Sequence, residues 1–157
     1  MRTSFTFIRL LNLCFFAGIL LSLVSFHPKT ARPEVSLVDQ ILSSTNQYRK
    51  SNSKPALQMR NDLNEIARKH SQNMANGRTS FGHDGFDQRH DKVKKIFHAC
   101  TMSENVAYGR MDGEDVVSMW KGSSGHRKNL LGDYKYIGIG VATDRKGVTY
   151  FTQIFVK

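Results

Sequence analysis

Tyr136-Ile-Gly-Ile-Gly-Val-Ala-Thr-Asp144-Arg-Lys-Gly147-Val-Thr-Tyr-Phe-Thr-Gln-Ile-Phe-Val156 closes the chain with a change of period. Ile137, Ile139 and Val141 alternate with Tyr136, Gly138, Gly140 and Ala142, the two-residue repeat of a strand. Asp144 to Gly147 reads as a hairpin loop of about four residues, with Gly147 suited to a positive φ. On the returning strand, Val148, Tyr150, Thr152, Ile154 and Val156 line one face, and Thr149, Phe151, Gln153 and Phe155 the other. Apolar residues on both faces require helices on both sides of the sheet. Gly138 and Gly140 predict a close approach by another backbone.

Upstream the period is helical. Leu37, Ile41, Leu42 and Tyr48 form an apolar stripe from about residue 36 to 50. Asn46 and Arg49 share a neighbouring face of that helix, as a helix-end polar pair or as a bridge to another segment. A second helix is capped at Asn61 or Asp62, where Glu65 completes a capping-box-like arrangement, and Gly77 ends it. Leu63, Ile66, Ala67 and Met74 make its stripe, and His70 within the stripe reads as a core histidine. Phe86, Val93, Ile96 and Phe97 mark a shorter third helix. A fourth begins near Asp112 or Gly113 and turns Val116, Val117 and Trp120 inward, so Trp120 reads as core, not as a ligand platform. Helices followed by a terminal antiparallel hairpin make the class α+β, a three-layer α-β-α sandwich.

The first stretch of the 157 residues is not part of that domain. Leu10 to Phe26 carries no charge and follows Arg2 and Arg9, the layout of a secretory signal. The run is short for a spanning helix, which needs roughly 20 apolar residues. Residues 1–26 are therefore expected to be a cleaved leader, with an uncleaved membrane anchor as the alternative. Residues 27–36, with two prolines and alternating charge, read as a linker, and 37–157 as the domain. Either way the domain works outside the cytoplasm, secreted or held in the periplasm or at the cell surface.

Cys14 lies mid-leader behind bulky Leu13, which argues against a lipid attachment site. Cys100 then stands alone, so the domain has no internal disulfide. It reads as a small buried hydrophobe. The chain carries a net charge of +10, and losing Arg2 and Arg9 leaves 21 Lys and Arg against 13 acids, or +8. Such a domain will associate loosely with anionic polymers or lipid headgroups. Lys92, Lys94, Lys95, Arg127, Lys128, Arg145 and Lys146 are scattered without a recognition pattern, so a sequence-specific nucleic-acid site is excluded.

The chemistry-bearing residues are His83, Glu104, Asn105, Ser123 and His126. His83, Glu104 and His126 are too far apart in sequence for spacing to bring them together, and there is no His-Glu-x-x-His helix or Cys-x-x-Cys pair. If they converge, three readings stand. Two neutral imidazoles, a carboxylate and a water would satisfy a tetrahedral divalent cation such as zinc. Ser123, Asn105 or backbone carbonyls would then hold the ring nitrogens. Glu104 beside a histidine is the one candidate catalytic group, a base toward water or a hydroxyl. Alternatively, the cluster hydrogen-bonds to itself and to loop amides and simply orders a cleft. No nucleophile elbow is present, and Ser123–His126 lacks a sequence-identifiable orienting acid, which argues against a serine hydrolase. Arg127 and Asn129 read as loop anchors.

The order of the motifs is more specific than any spacing. Asn46-x-x-Arg49, Leu63-x-x-Ile-Ala-x-x-His-Ser-x-x-Met74, Phe81-Gly-His83 and Glu104-Asn105-Val-Ala come first. Trp120-x-x-Ser123-x-Gly-His126-Arg-x-Asn129-Leu and Ile137-Gly-Ile-Gly-Val…Tyr150-Phe-Thr-Gln153-Ile-Phe follow. In this succession the chain resembles the CAP superfamily, the SCP-like extracellular domain of the cysteine-rich secretory, antigen 5 and pathogenesis-related 1 proteins, in its short bacterial form. The resemblance covers about residues 37–157. It implies the α-β-α sandwich, secretion and a surface cleft lined by His83, Glu104 and His126. Longer relatives complete the cluster with a second glutamate where this chain has Ser123, and they carry disulfides that it lacks. Sterol binding and receptor roles are therefore not carried over. The expected protein is an exported binding or envelope-interaction module, taken as a monomer. Its partners would be anionic envelope components or a small apolar ligand, and it would meet a membrane only through the N-terminal segment. A metal-dependent hydrolase using His83, Glu104 and His126 is the alternative, and nonspecific polyanion binding the second.

Overall fold

A computed structural model describes residues 35–157 except Ala99. The expected leader and most of the linker lie outside these residues. Helix α1 (Leu37–Ser51) starts at Ser36, whose hydroxyl accepts from the Asp39 amide. A two-residue strand β1 (Gln58–Met59) leads into α2 (Asn61–Ala75). The cap of α2 differs from expectation. Arg60 is the N-cap and supplies no side-chain bond, while Asp62 accepts from the Leu63 amide and pairs with Arg60. Asp62 is the second residue of the helix and not its cap, so the box with Glu65 does not form. Gly77 follows the helix with φ +66°, the left-handed exit that glycine allows.

Helix α3 (Phe86–Phe97), strand β2 (Met102–Gly109) and α4 (Gly113–Gly122) come next. Asp112 caps α4 by accepting from the Glu114 and Asp115 amides. Periodicity gives no sign of α5 (Ser124–Leu130), which follows α4 after one extended residue, Ser123. The hairpin of β3 (Tyr136–Thr143) and β4 (Thr149–Val156) ends the chain as expected. The sheet order is β1-β3-β4-β2, with β1 parallel to β3 and the other pairs antiparallel. Strand β2 is thus at an edge.

Both faces of the sheet are covered, giving the three layers. On one side, α1, α4 and α5 bring Ile41, Val116, Trp120 and Leu130 against Ile137, Ile139, Phe151 and Phe155. Trp120 is fully buried, with its indole N–H donating to the Val106 carbonyl at 3.3 Å. On the other, α2 and α3 set Leu63, Ala67 and Val93 against Met102, Ile154 and Val156. Each large side chain buried this way stabilises the fold by about 1.5–3 kcal/mol. Cys100 is a free thiol, half-buried against the second core.

Two devices join the layers. A Cβ at Gly138 would lie 2.4 Å from the Leu63 carbonyl carbon, and one at Gly140 only 2.1 Å from the Arg68 nitrogen. The backbone of α2 therefore rests directly on β3, as the glycines predict. Asn46 and Arg49 are bridges. Asn46 exchanges both amide bonds with the Leu57 backbone, at 2.8 and 3.1 Å. Arg49, buried, donates to the carbonyls of Pro55, Leu130 and Gly132 at 2.8–2.9 Å.

Candidate functional site

Edge strand β2 organises the site because neighbouring strand residues point to opposite faces. Glu104 lies opposite Ile154 and faces the α2–α3 side, whereas Asn105 lies opposite Gln153 and faces α1 and α5. One carboxylate and one amide thus anchor two half-sites that meet around the sheet edge.

In the first half-site, Glu104 is 5% exposed. Arg89 grips it with two bonds of 2.6 Å, Nε to Oε2 and Nη2 to Oε1. His83 Nδ1 sits 2.9 Å from Oε1. The carboxylate oxygen accepts, so Nδ1 donates and Nε2 is the ring nitrogen left unengaged. The His83 side chain is 51% exposed, so that nitrogen is available to a ligand. The loop that carries it is pinned from behind. His70 Nε2 donates to the Gly82 carbonyl at 2.9 Å, and Arg89 Nη1 to the Asp84 carbonyl at 2.8 Å. Burial, helped by the Arg89 charge, pushes His70 below its ordinary pKa and keeps it neutral.

In the second half-site, Asn105 Nδ2 reaches the His126 carbonyl and Gln153 Oε1, while its Oδ1 accepts from Asn129 at 2.9 Å. Asn129 also donates to the Glu104 carbonyl, and Gln153 continues the network to Thr45 on α1. Helix α5 is tied to β2 through these amides. The network fixes the His126 backbone and leaves the ring unbonded at Nδ1, which is buried. Burial lowers the His126 pKa, and the nearby His83 ring lowers it further.

The expected residues are therefore arranged unequally. His83 and Glu104 bond directly, His126 stands electrostatically close to His83, and Asn105 supports the His126 backbone. Ser123 is the junction between α4 and α5, and its hydroxyl bonds none of the other four. Asn129 anchors a loop as expected, and Arg127 bonds the Lys121 carbonyl. Arg89 was not expected. Its signal is present in the sequence: it falls on the apolar stripe of α3, three residues after Phe86 and four before Val93, where a lone arginine needs a buried partner.

Among the described residues, no three His, Cys, Asp or Glu side chains are grouped to hold a metal. The arrangement gives the reason. Arg89 supplies Glu104 with the positive charge that a cation would bring, and three of the roughly four acceptor positions of the carboxylate are filled. A three-ligand zinc centre on His83, Glu104 and His126 does not fit this constellation.

Residues 42–155 match the family model described as the cysteine-rich secretory protein family, CAP. An uncharacterized membrane protein of Bacillus subtilis, YlbC, is 34% identical over 128 residues, which cover 75% of this chain but 34% of that protein. An extracellular SCP-domain protein of Bacillus anthracis superposes with a TM-score of 0.66 at 28% identity, covering 77% of this chain and 40% of the other. An outer surface protein of Borrelia burgdorferi shares the fold with a TM-score of 0.63 at 20% identity, covering 78% of this chain and 96% of that one. The chain thus spans less than half the length of the two Bacillus proteins. With that match over most of its length, and with the motif order laid out on an α-β-α sandwich, this chain belongs to the CAP family.

Proposed function

We propose that the protein is an extracytoplasmic binding module whose edge-strand cleft holds a ligand group without transforming it. The observation that carries this reading is the commitment of Glu104 to Arg89 and His83. Glu104 is a structural hub, positioned to orient an imidazole rather than to take a proton from a substrate. What remains for a ligand is His83 Nε2 and the neighbouring His126 ring, suited to hydrogen bonds with a small polar or anionic group. The charged-then-apolar layout of residues 1–26 and the extracellular relative support a location outside the cytoplasm. Among the described residues no helix is long and apolar enough to cross a membrane.

A metal-dependent hydrolase is the second reading, favoured by one detail. An imidazole oriented by a carboxylate is also how metal-binding histidines are held. Two measurements separate the readings. Zinc at millimolar concentration should leave the melting temperature of the purified chain unchanged, and a panel of peptide and polysaccharide substrates should show no turnover above blank. A zinc-dependent rise that His126→Ala abolishes would restore a metal site to the binding module, and turnover that His83→Ala abolishes would replace the binding reading with the hydrolase.

A further inference from the structure

The face of β2 that holds Glu104 continues past the helices as a row of aromatic rings. Glu104, Val106 and Tyr108 share that face, and Tyr108 pairs with Tyr150 on β4. The core under α2 and α3 takes in Met102, Ile154 and Val156 and leaves out the Tyr108–Tyr150 end. Phe81, two residues before His83, lies against Tyr108 with ring centroids 4.6 Å apart and planes at 59°. Tyr108 and Tyr150 stack at 5.8 Å and 21°. Phe81 is 47% and Tyr108 55% exposed, two of the few large hydrophobic residues left in solvent. Two touching, half-exposed aromatic rings form a contiguous apolar patch of the kind that marks a binding surface.

Positive charge sits at the far end of the row. Arg110 follows Tyr108 by two residues and donates through Nη2 to the Lys146 carbonyl at 2.6 Å, which brings the hairpin turn alongside. Arg110, Arg145 and Lys146 are exposed and form no ion pair among the described residues. Asp144, the acid of that turn, accepts from the Lys146 and Val148 amides. At about 3.4 Å per strand residue, the row from Glu104 to Arg110 is roughly 20 Å long.

We propose that the Phe81–Tyr108–Tyr150 row, ending at Arg110, Arg145 and Lys146, is a docking strip for an anionic polysaccharide. Sugar rings offer C–H-rich faces to aromatic side chains. Acidic substituents along such a polymer match the three cations. The hollow beside the turn, lined by Ala75, Asn76, Asp144, Arg145 and Lys146, is polar, which suits an acidic sugar and not an acyl chain. The choice of a glycan over a single-stranded nucleic acid, which also stacks on aromatic rings, rests on the extracytoplasmic placement proposed above.

The test uses the purified full chain and polygalacturonate as the probe, with dextran, polyphosphate, oligo-deoxythymidine and anionic phospholipid vesicles as comparators. Polygalacturonate should bind more tightly than each of the four. Tyr108→Ala and Phe81→Ala should each weaken binding roughly two- to tenfold, the factor of one aromatic contact. Lys146→Gln should weaken it and make it less sensitive to salt. Tyr108 is more than half exposed, so Tyr108→Ala keeps its melting temperature even if Phe81→Ala disturbs its loop. Absence of binding, a preference for any comparator, or affinity indifferent to Tyr108→Ala would overturn the strip. Reducing ends released from the probe would overturn the binding-module reading and leave the strip standing, so the two failures can be told apart.

Discussion

Arg89 changes the meaning of Glu104. A buried carboxylate facing two histidines suggests a metal or a base. With two guanidinium bonds at 2.6 Å, it becomes half of a buried ion pair that sets the angle of His83. Removing one partner of such a pair leaves an uncompensated buried charge and costs about 3–5 kcal/mol, whereas removing both can be close to neutral. Arg89→Met should therefore lower the urea midpoint sharply, and Arg89→Met/Glu104→Leu should recover most of the loss. A double variant as unstable as the sum of the single ones would mean that the two side chains stabilise the fold independently.

At the scale of elements, the decisive contact is α2 on β3. Gly138 and Gly140 are required there by space, since an added methyl would meet the α2 backbone at 2.1–2.4 Å. Gly140→Ala is expected to cost about 3 kcal/mol, the upper end of the overpacking range. Gly125, inside α5 with nothing within 4 Å of an added Cβ, is the counter-case. Gly125→Ala should stabilise by about 0.8–1 kcal/mol through helix propensity. Chemical denaturation of both variants checks the pair, and equal effects would refute the packing argument. The hairpin and four of the helices were legible because their periods are clean. Strand β2 was not, because Glu104, Asn105, Val106 and Ala107 are all buried and the alternation disappears. Strand β1 has two residues, too few to show a period. The motif order singled out His83, Glu104 and His126, while the Arg89 clamp stayed hidden because its partner lies fifteen residues away on another element.

For the whole molecule, two histidines, one buried and one half-buried, make stability depend on pH. His70 and His126 are both lowered from their ordinary values, chiefly by burial. Above about pH 7 both are neutral whether the chain is folded or unfolded, and they contribute no slope. As pH falls through about 6.5, the unfolded chain takes up protons that the folded chain does not, so stability must fall. The loss ends only once pH drops below the folded-state values. Asp62 and Asp133, held low by Arg60 and Lys157, contribute in a separate and more acidic window. Rising positive charge on a chain already at +10 adds self-repulsion over the same range as the histidines. Salt separates the two causes, since a Debye length of about 8 Å at 0.15 M screens surface charges and leaves buried rings largely untouched. The melting temperature should fall between pH 7 and pH 5 at that ionic strength, and His70→Gln should flatten the slope whatever its effect on stability at pH 7. A slope that salt removes entirely would assign the acid sensitivity to surface charge, and one that His70→Gln leaves unchanged would exclude the clamp behind His83 as its source.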